Sequence, residues 1–240
     1  MSLPKYEYPT FELTLPSDKK VVKFRPFLVS EQRVLLMGKQ GDEKDQVEAL
    51  RQIMKSCCIT PVEVDKLPLF DLEYFFTKLR AKSVGETTTV RFRCTNEVDQ
   101  KECGSIQDVT VNLDKVEVRF PEKDRRIINL TDNFGIKLRY PKFESMSQLT
   151  SLKENDDDLD SATDLIFQCT ECIYFNDEVF DRFTPSEFKE FLDSLPVSKL
   201  EEILEFFYDL PQIYIDVTFQ CKVCGNKETM PINGLDSFFD

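Results

Sequence analysis

The 240-residue chain contains no histidine. That absence excludes Ser-His-Asp and Cys-His nucleophile pairs, imidazole proton shuttles and every zinc site that needs an imidazole ligand. Any transition-metal site here must be built from thiolates or carboxylates. Tryptophan is also absent, and glycine is scarce at 7 residues. Neither a GxxxxGK[ST] phosphate loop nor a GxGxxG turn occurs. The N-terminal stretch MSLPKYEYPTFEL lacks an apolar signal core, and no run approaches the ~20 apolar residues that span a bilayer. The sequence is therefore expected to be neither exported by that route nor embedded in a membrane.

Acidic residues are abundant. Asp and Glu number 44 against 31 Lys and Arg, a formal charge of −13. Such a chain repels phosphate backbones, and with no basic stripe and no stacking Trp a nucleic-acid partner is not expected. Hydrophobic residues make up 41% and include 21 Phe and 7 Tyr. That aromatic load can fill a core or be buried against a partner. The 8 Cys, in a chain without an export signal, read as thiols or metal ligands rather than as a disulfide framework.

Residues 10–29 alternate as two short strands around Pro16-Ser17-Asp18-Lys19. Ser30 is placed to cap a helix to about Lys39. A second helix follows from about Asp42, with Val47, Leu50, Ile53, Met54 and Cys57 on one face, and a third runs from about Pro68 to Lys82. β-rich sequence follows from Thr87 to about Tyr140. The acidic stretch 151–161 reads as a solvated loop. Its Asp156–Asp158 run lacks the glycine and ligand spacing of a calcium loop. Ala162 to about Tyr174 has helical spacing. Thr184-Pro185-Ser186-Glu187 is a capping box with proline at the first helical position, and Ser198-x-x-Glu201 repeats the capping pattern. A final hairpin spans about 212–239.

Two segments resemble one another. VRFRC (90–94) with CGSIQDVTVNL (103–113) parallels VTFQC (217–221) with CGNKETMPINGL (224–235). In both, a Cys follows Phe by two positions on an alternating strand, and the second Cys is followed by Gly and another strand. A Cys-x-x-Cys-Gly turn points two sulfurs the same way, and glycine permits the positive φ it needs. Two such turns supply the four sulfurs of a closed structural zinc site, so Cys94, Cys103, Cys221 and Cys224 are the candidate ligands. The turn at Cys221–Cys224 has the tight spacing. Eight residues separate Cys94 from Cys103, and reduced surface thiols are the plain alternative. Cys169 and Cys172 share the two-residue gap but lack the following Gly, and read as small hydrophobes within a helix. Cys57-Cys58 reads as helix-end packing.

The chain resembles the T4-type bacteriophage baseplate proteins over nearly its whole length. The resemblance lies in LPKYEYPTFELTLPS, KFRPFLVSEQRVLLM, VDKLPLFDLEYFFTKLRAKSVGE, LTDNFGIKLRYP, FTPSEFKEFLDSLP and VTFQCKVCGNKETMPINGLDSFF, in that order. It implies a late viral protein acting in the host cell cytoplasm on assembly of the baseplate hub of a contractile tail, with hub proteins as partners, and residence in the virion baseplate as a second location. It supplies no active-site residues, and the expanded first Cys turn departs from the tighter spacing expected of relatives. The leading expectation is a non-enzymatic chaperone or scaffold acting by protein–protein binding. The alternatives are a permanent minor baseplate subunit and a zinc-ribbon nucleic-acid-binding factor. Candidate partner contacts are Phe188, Phe191, Phe206 and Phe207 on the C-terminal helices and Leu235, Phe238 and Phe239 in the tail, each of which would otherwise be core.

The expected fold class is α+β. It comprises a mixed region over 1–150 with the first Cys hairpin at about 87–119, the acidic loop 151–161, and a helical region 162–240 ending in the second hairpin. The two hairpins are expected to dock as in a zinc ribbon and tie the chain into one compact unit.

Overall fold

The computed structural model describes residues 6–41, 43–154 and 158–234. The alternating start folds as expected into an antiparallel hairpin of β1 (Phe11–Thr14) and β2 (Val21–Phe24), with Phe11 opposite Phe24. Leu13, Val22 and Phe24 turn inward. α1 (Val29–Gly38) is capped at Leu28, one turn-start earlier than Ser30, because the Glu31 carboxylate accepts the Leu28 N–H at 2.7 Å. α2 (Glu43–Cys57) lies so close to α1 that a Cβ on Gly38 would meet the Ala49 Cβ at 2.7 Å. α3 (Leu69–Ser83) buries Phe75 and Leu79 completely, and Phe75 meets Phe24 edge-on at 5.4 Å.

The middle of the chain is β-structure. β3 (Thr87–Arg93) pairs with β6 (Ile106–Asn112), and a small hairpin of β4 (Glu97–Val98) and β5 (Lys101–Glu102) lies between them in sequence. β7 (Glu117–Arg119), β8 (Ile127–Thr131) and β9 (Phe134–Leu138) follow. α4 (Met146–Glu154) and α5 (Leu159–Cys169) take up most of the stretch 151–161 read from sequence as a solvated loop. The reason is an apolar stripe, since Leu149, Leu152, Ala162, Leu165 and Ile166 are buried while Asp160 and Asp164 are exposed.

The helix expected over 162–174 is also corrected. It stops at Cys169, and β10 (Thr170–Phe175) continues as a strand between β9 and β11 (Glu178–Phe180). A central sheet position rewards Ile173, Tyr174 and Phe175 more than a helix would, because each packs against a neighbouring strand. Gly135 on β9 matters here. The Tyr174 ring lies across it to reach the Asn129 side chain, in space that a Cβ would occupy. α6 (Pro185–Asp193) carries the capping box read from sequence, with Thr184 N–H donating to Glu187 at 2.7 Å. α7 (Val197–Tyr208) starts after Pro196, without a side-chain cap. β12 (Gln212–Gln220) and β13 (Lys227–Asn233) form the last hairpin.

The fold class is α+β, with seven α-helices among the described residues and several small sheets: β13-β12-β7, β11-β10-β9-β8, and three two-stranded pairs. The chain groups into two compact units. Unit 1 holds residues 1–64, 70–119 and 212–240, and unit 2 holds 65–69 and 120–211. These boundaries lie away from the acidic stretch that divides the sequence. In unit 1 the β3–β6 and β12–β13 hairpins share a core of Phe92, Val111, Leu113, Ile215, Val217, Phe219 and Ile232. In unit 2 the sheet β11-β10-β9-β8 covers α4–α7 through Ile128, Ile136, Ile173, Ile166, Phe188, Ile203 and Phe207. β7 pairs with β12, placing Arg119 opposite Gln212, so the chain leaves unit 1 and re-enters it at paired residues. Among the described residues no helix is long and apolar enough to cross a membrane.

Candidate metal centre

The two Cys turns are carried at the ends of two antiparallel hairpins. Strand alternation sets them: Phe92 and Cys94 point inward from β3 and its end, as Phe219 and Cys221 do from β12. Phe92 stacks on Phe219 with centroids 5.3 Å apart, which brings the hairpin ends together. The sulfurs of Cys94, Cys103, Cys221 and Cys224 all lie within 4.8 Å of one another. Cys94 Sγ is 3.7 Å from Cys224 Sγ, and Cys103 Sγ is 3.9 Å from Cys221 Sγ.

These separations suit a metal ion. A tetrahedral set with metal–sulfur bonds of about 2.3 Å places its sulfurs about 3.8 Å apart. Cys94 and Cys221 are buried, and Cys103 and Cys224 are half-buried. A closed four-thiol set of this kind can hold a metal ion without an open position.

The backbone around the two turns is the same. Gly104 N–H donates to the Cys94 carbonyl at 3.0 Å, and Gly225 N–H to the Cys221 carbonyl at 2.9 Å. Cys94 N–H donates to the Ser105 carbonyl at 2.9 Å, and Cys221 N–H to the Asn226 carbonyl at 2.7 Å. Both glycines have the positive φ these turns require, 62° and 73°. The eight-residue gap is therefore not a distortion of the first turn. Cys103 N–H donates to the Asn96 carbonyl at 2.8 Å, closing off residues 97–102 as the β4–β5 hairpin. That hairpin reverses through Asp99 and Gln100, both at positive φ. Without it, Cys94-Thr95-Asn96 leads directly to Cys103-Gly104, the tight spacing of the second turn.

The electrostatics of the cluster are asymmetric. The Cys224 N–H, the Ser105 hydroxyl and the Val223 N–H all stabilise a thiolate on Cys221 and bring it down to about 6. Ser105 Oγ lies 3.0 Å from Cys221 Sγ. Cys94 accepts the Asn96 N–H, which favours its thiolate, yet burial and the neighbouring thiols push it up to about 12. Asn96 Nδ2 donates to Cys224 Sγ at 3.7 Å. Within the cluster Cys221 is thus the readier thiolate and Cys94 the more reluctant one.

Ser105 and Asn96 are the supporting residues that sequence reasoning missed. A signal for Ser105 existed: it follows Cys103-Gly104 as Asn226 follows Cys224-Gly225. Asn96 had none until the insertion was seen to close on itself. The other candidate residues lie elsewhere. Cys169 is buried and Cys172 half-buried, the first at the end of α5 and the second on β10, so they share no helix face. Phe188, Phe206 and Phe207, considered above as partner contacts, are interior at 1%, 2% and 1% exposure. Phe191 packs against the same core. Their helical spacing makes the inward stripe of α6 and α7, which removes Phe188, Phe206 and Phe207 from the surface and leaves Phe191 half-buried. Leu235, Phe238 and Phe239 lie outside the described residues.

A family model described as T4 bacteriophage base plate protein matches residues 8–240. The chain belongs to that family. Neither curated proteins nor solved structures returned a match. For a base plate protein the other constituents of the baseplate are the natural partners, and the virion baseplate is the natural location. The Cys centre sits within the matched span, as does all of unit 2.

Proposed function

We propose that this base plate protein is a non-enzymatic assembly factor, a chaperone or scaffold for the baseplate hub that binds hub proteins in the host cell cytoplasm. The family match carries the baseplate part of this reading. The hub and assembly parts are supported by the ordered sequence resemblance set out above. A composition without histidine is consistent with binding rather than acid–base catalysis. The test is to follow the chain through purified assembly intermediates and finished particles. The expected result is association with hub-containing intermediates and absence from mature virions. Stoichiometric retention in mature virions would make it a permanent minor subunit instead.

The ion proposed for the thiol cluster is zinc, in a zinc-ribbon-like centre. Four thiolates in a closed set match zinc's ligand preference, and such a centre supplies folding energy rather than a reactive site. Cys94, Cys103, Cys221 and Cys224 would hold it, with Ser105, Asn96 and the turn amides orienting the sulfurs. Elemental analysis of the purified chain should give one equivalent of zinc. Cys221→Ser should release it and lower the Tm. Less than one equivalent in the parent, together with unchanged stability in the variant, removes the zinc assignment.

A further inference from the structure

Formal charge is divided unevenly between the two units. Unit 2 holds 22 Asp and Glu against 11 Lys and Arg, a formal −11 of the chain's −13. Its sheet runs β11-β10-β9-β8, so β11 lies at one edge, with no strand beyond it among the described residues. All three residues of β11 are exposed, Val179 at 65% and Phe180 at 46%, and Phe175 across the turn is 50% exposed. Exposed large apolar residues at an open sheet edge are unusual, because unpaired N–H and C=O groups there template association.

The register says which groups are offered. β10 and β11 are joined by a two-residue turn, with Phe175 opposite Glu178 and Tyr174 opposite Val179. The pair flanking such a turn exchanges the ladder hydrogen bonds, and bonding alternates along an antiparallel pair. Val179 is therefore the β11 residue whose N–H and C=O point away from β10. Its side chain stands on the Tyr174 face of the sheet, and Phe180, opposite Ile173, stands on the face that packs on the helices. An added strand would meet an apolar side chain on each face in turn.

Asp177, Glu178 and Asp181 are exposed around the same edge. Charge on an edge strand is also a way to forbid pairing. Here Asp177, Glu178 and Asp181 share the edge with Phe and Val, and Arg182 after them is the nearest basic residue in sequence, so the edge keeps an acidic excess. That combination repels an acidic strand, gives a neutral one no electrostatic advantage and favours a basic one.

We propose that the open edge of β11 docks a cationic extended segment of another baseplate protein, which joins the sheet as a fifth strand. This rests on the protein-binding reading above and specifies its partner's chemistry. The test uses the full chain carrying a photo-crosslinking phenylalanine at position 179, expressed during infection, with the same probe at Ile127 on the opposite edge strand as control. The expected product at 179 joins one baseplate protein through a peptide of net positive charge with alternating apolar residues. That peptide, synthesised, should bind the purified chain. Its Kd should weaken at least about tenfold when salt is raised from about 0.05 to about 0.5 M. Val179→Pro removes the outward donor without breaking the ladder, and Glu178→Lys with Asp181→Lys reverses the charge. Each should weaken binding at least about tenfold with Tm unchanged. Crosslinks to a second copy, to an acidic segment or equally from Ile127 overturn the proposal, as does salt-insensitive binding. A chain that co-sediments with baseplate intermediates yet yields no crosslink at 179 overturns the edge site and leaves the assembly role standing. A chain that meets no baseplate intermediate at all overturns both.

Discussion

Glu31 shows how one side chain can secure several segments. Its carboxylate takes two hydrogen bonds from Arg25 at 2.7 and 2.8 Å, one from the Ser56 hydroxyl at 2.6 Å and one from Leu28 N–H. Burial alone would raise its pKa, but these partners outweigh it and hold the group at about 2 rather than 4.5. A carboxylate depressed on folding adds stability that is fully present above the unfolded value and is lost as pH falls through the folded one. The shift corresponds to at most about 3 kcal/mol. Urea unfolding between about pH 6 and about pH 2.5 should show this loss in the parent and a flatter profile in Glu31→Gln. An identical pH profile in the two proteins would contradict the role given to this group. Lys78 is a second case. It is 8% exposed, and its ammonium donates to the carbonyls of Leu113, Asp114 and Val116 at 3.1, 2.7 and 2.9 Å. These are the backbone groups of the 3-10 turn Leu113–Lys115 and its cap Val116, between β6 and β7, and the bonds to Leu113 and Val116 are buried. Lys78→Met should cost about 2–4 kcal/mol in chemical unfolding, because it leaves buried acceptors without donors. A loss below about 0.5 kcal/mol would show that the turn finds other partners.

At the scale of elements, the β4–β5 hairpin makes the sharpest test. Its two ends, Asn96 and Cys103, are already one hydrogen bond apart. Deleting residues 97–102 should leave the metal content at the parent's level and the Tm within a few degrees. Loss of the metal would show that the hairpin, rather than the turn beneath it, sets the sulfur positions. This element also marks the limit of what could be read from sequence. The two Cys hairpins, the Thr184 capping box and the β1–β2 pair were legible because alternation, glycine after cysteine and capping residues act locally. The insertion was not, because Asp99-Gln100 is a poor match to the Asn-Gly and Asp-Gly turns that announce a hairpin. The segment LIFQCTECIYF misled for a different reason. Its apolar spacing fits a helix, and only pairing with β9, distant in sequence, turns its second half into a strand. The Phe residues of α6 and α7 were ambiguous in principle, since the same stripe serves a core or an interface until burial is known.

The whole molecule is a chain that departs from one unit, builds another and returns. Unit 1 contains every residue of the thiol cluster, and unit 2 contains none. Calorimetry should therefore resolve two transitions, of which a strong chelator lowers only one, and Cys221→Ser should lower that same one. A single transition that shifts as a whole would show that the units unfold cooperatively. Legibility was lowest at this scale. Nothing in the sequence marks 119–120 and 211–212 as crossing points, because the signal there is the pairing of β7 with β12, and neither strand is distinctive alone.

The Cys103 and Cys221 sulfurs that meet in the cluster come from positions 118 apart in the chain. A ribosome adding about 5–20 residues per second needs on the order of 6–24 s to pass from one to the other. For that interval the nascent polypeptide exposes the earlier pair of thiols with nothing to complete them, while the intervening segment has time to fold. Closure of the centre consequently waits for synthesis of Cys221, and a ribosome stalled before that position leaves Cys94 and Cys103 without their partner thiols.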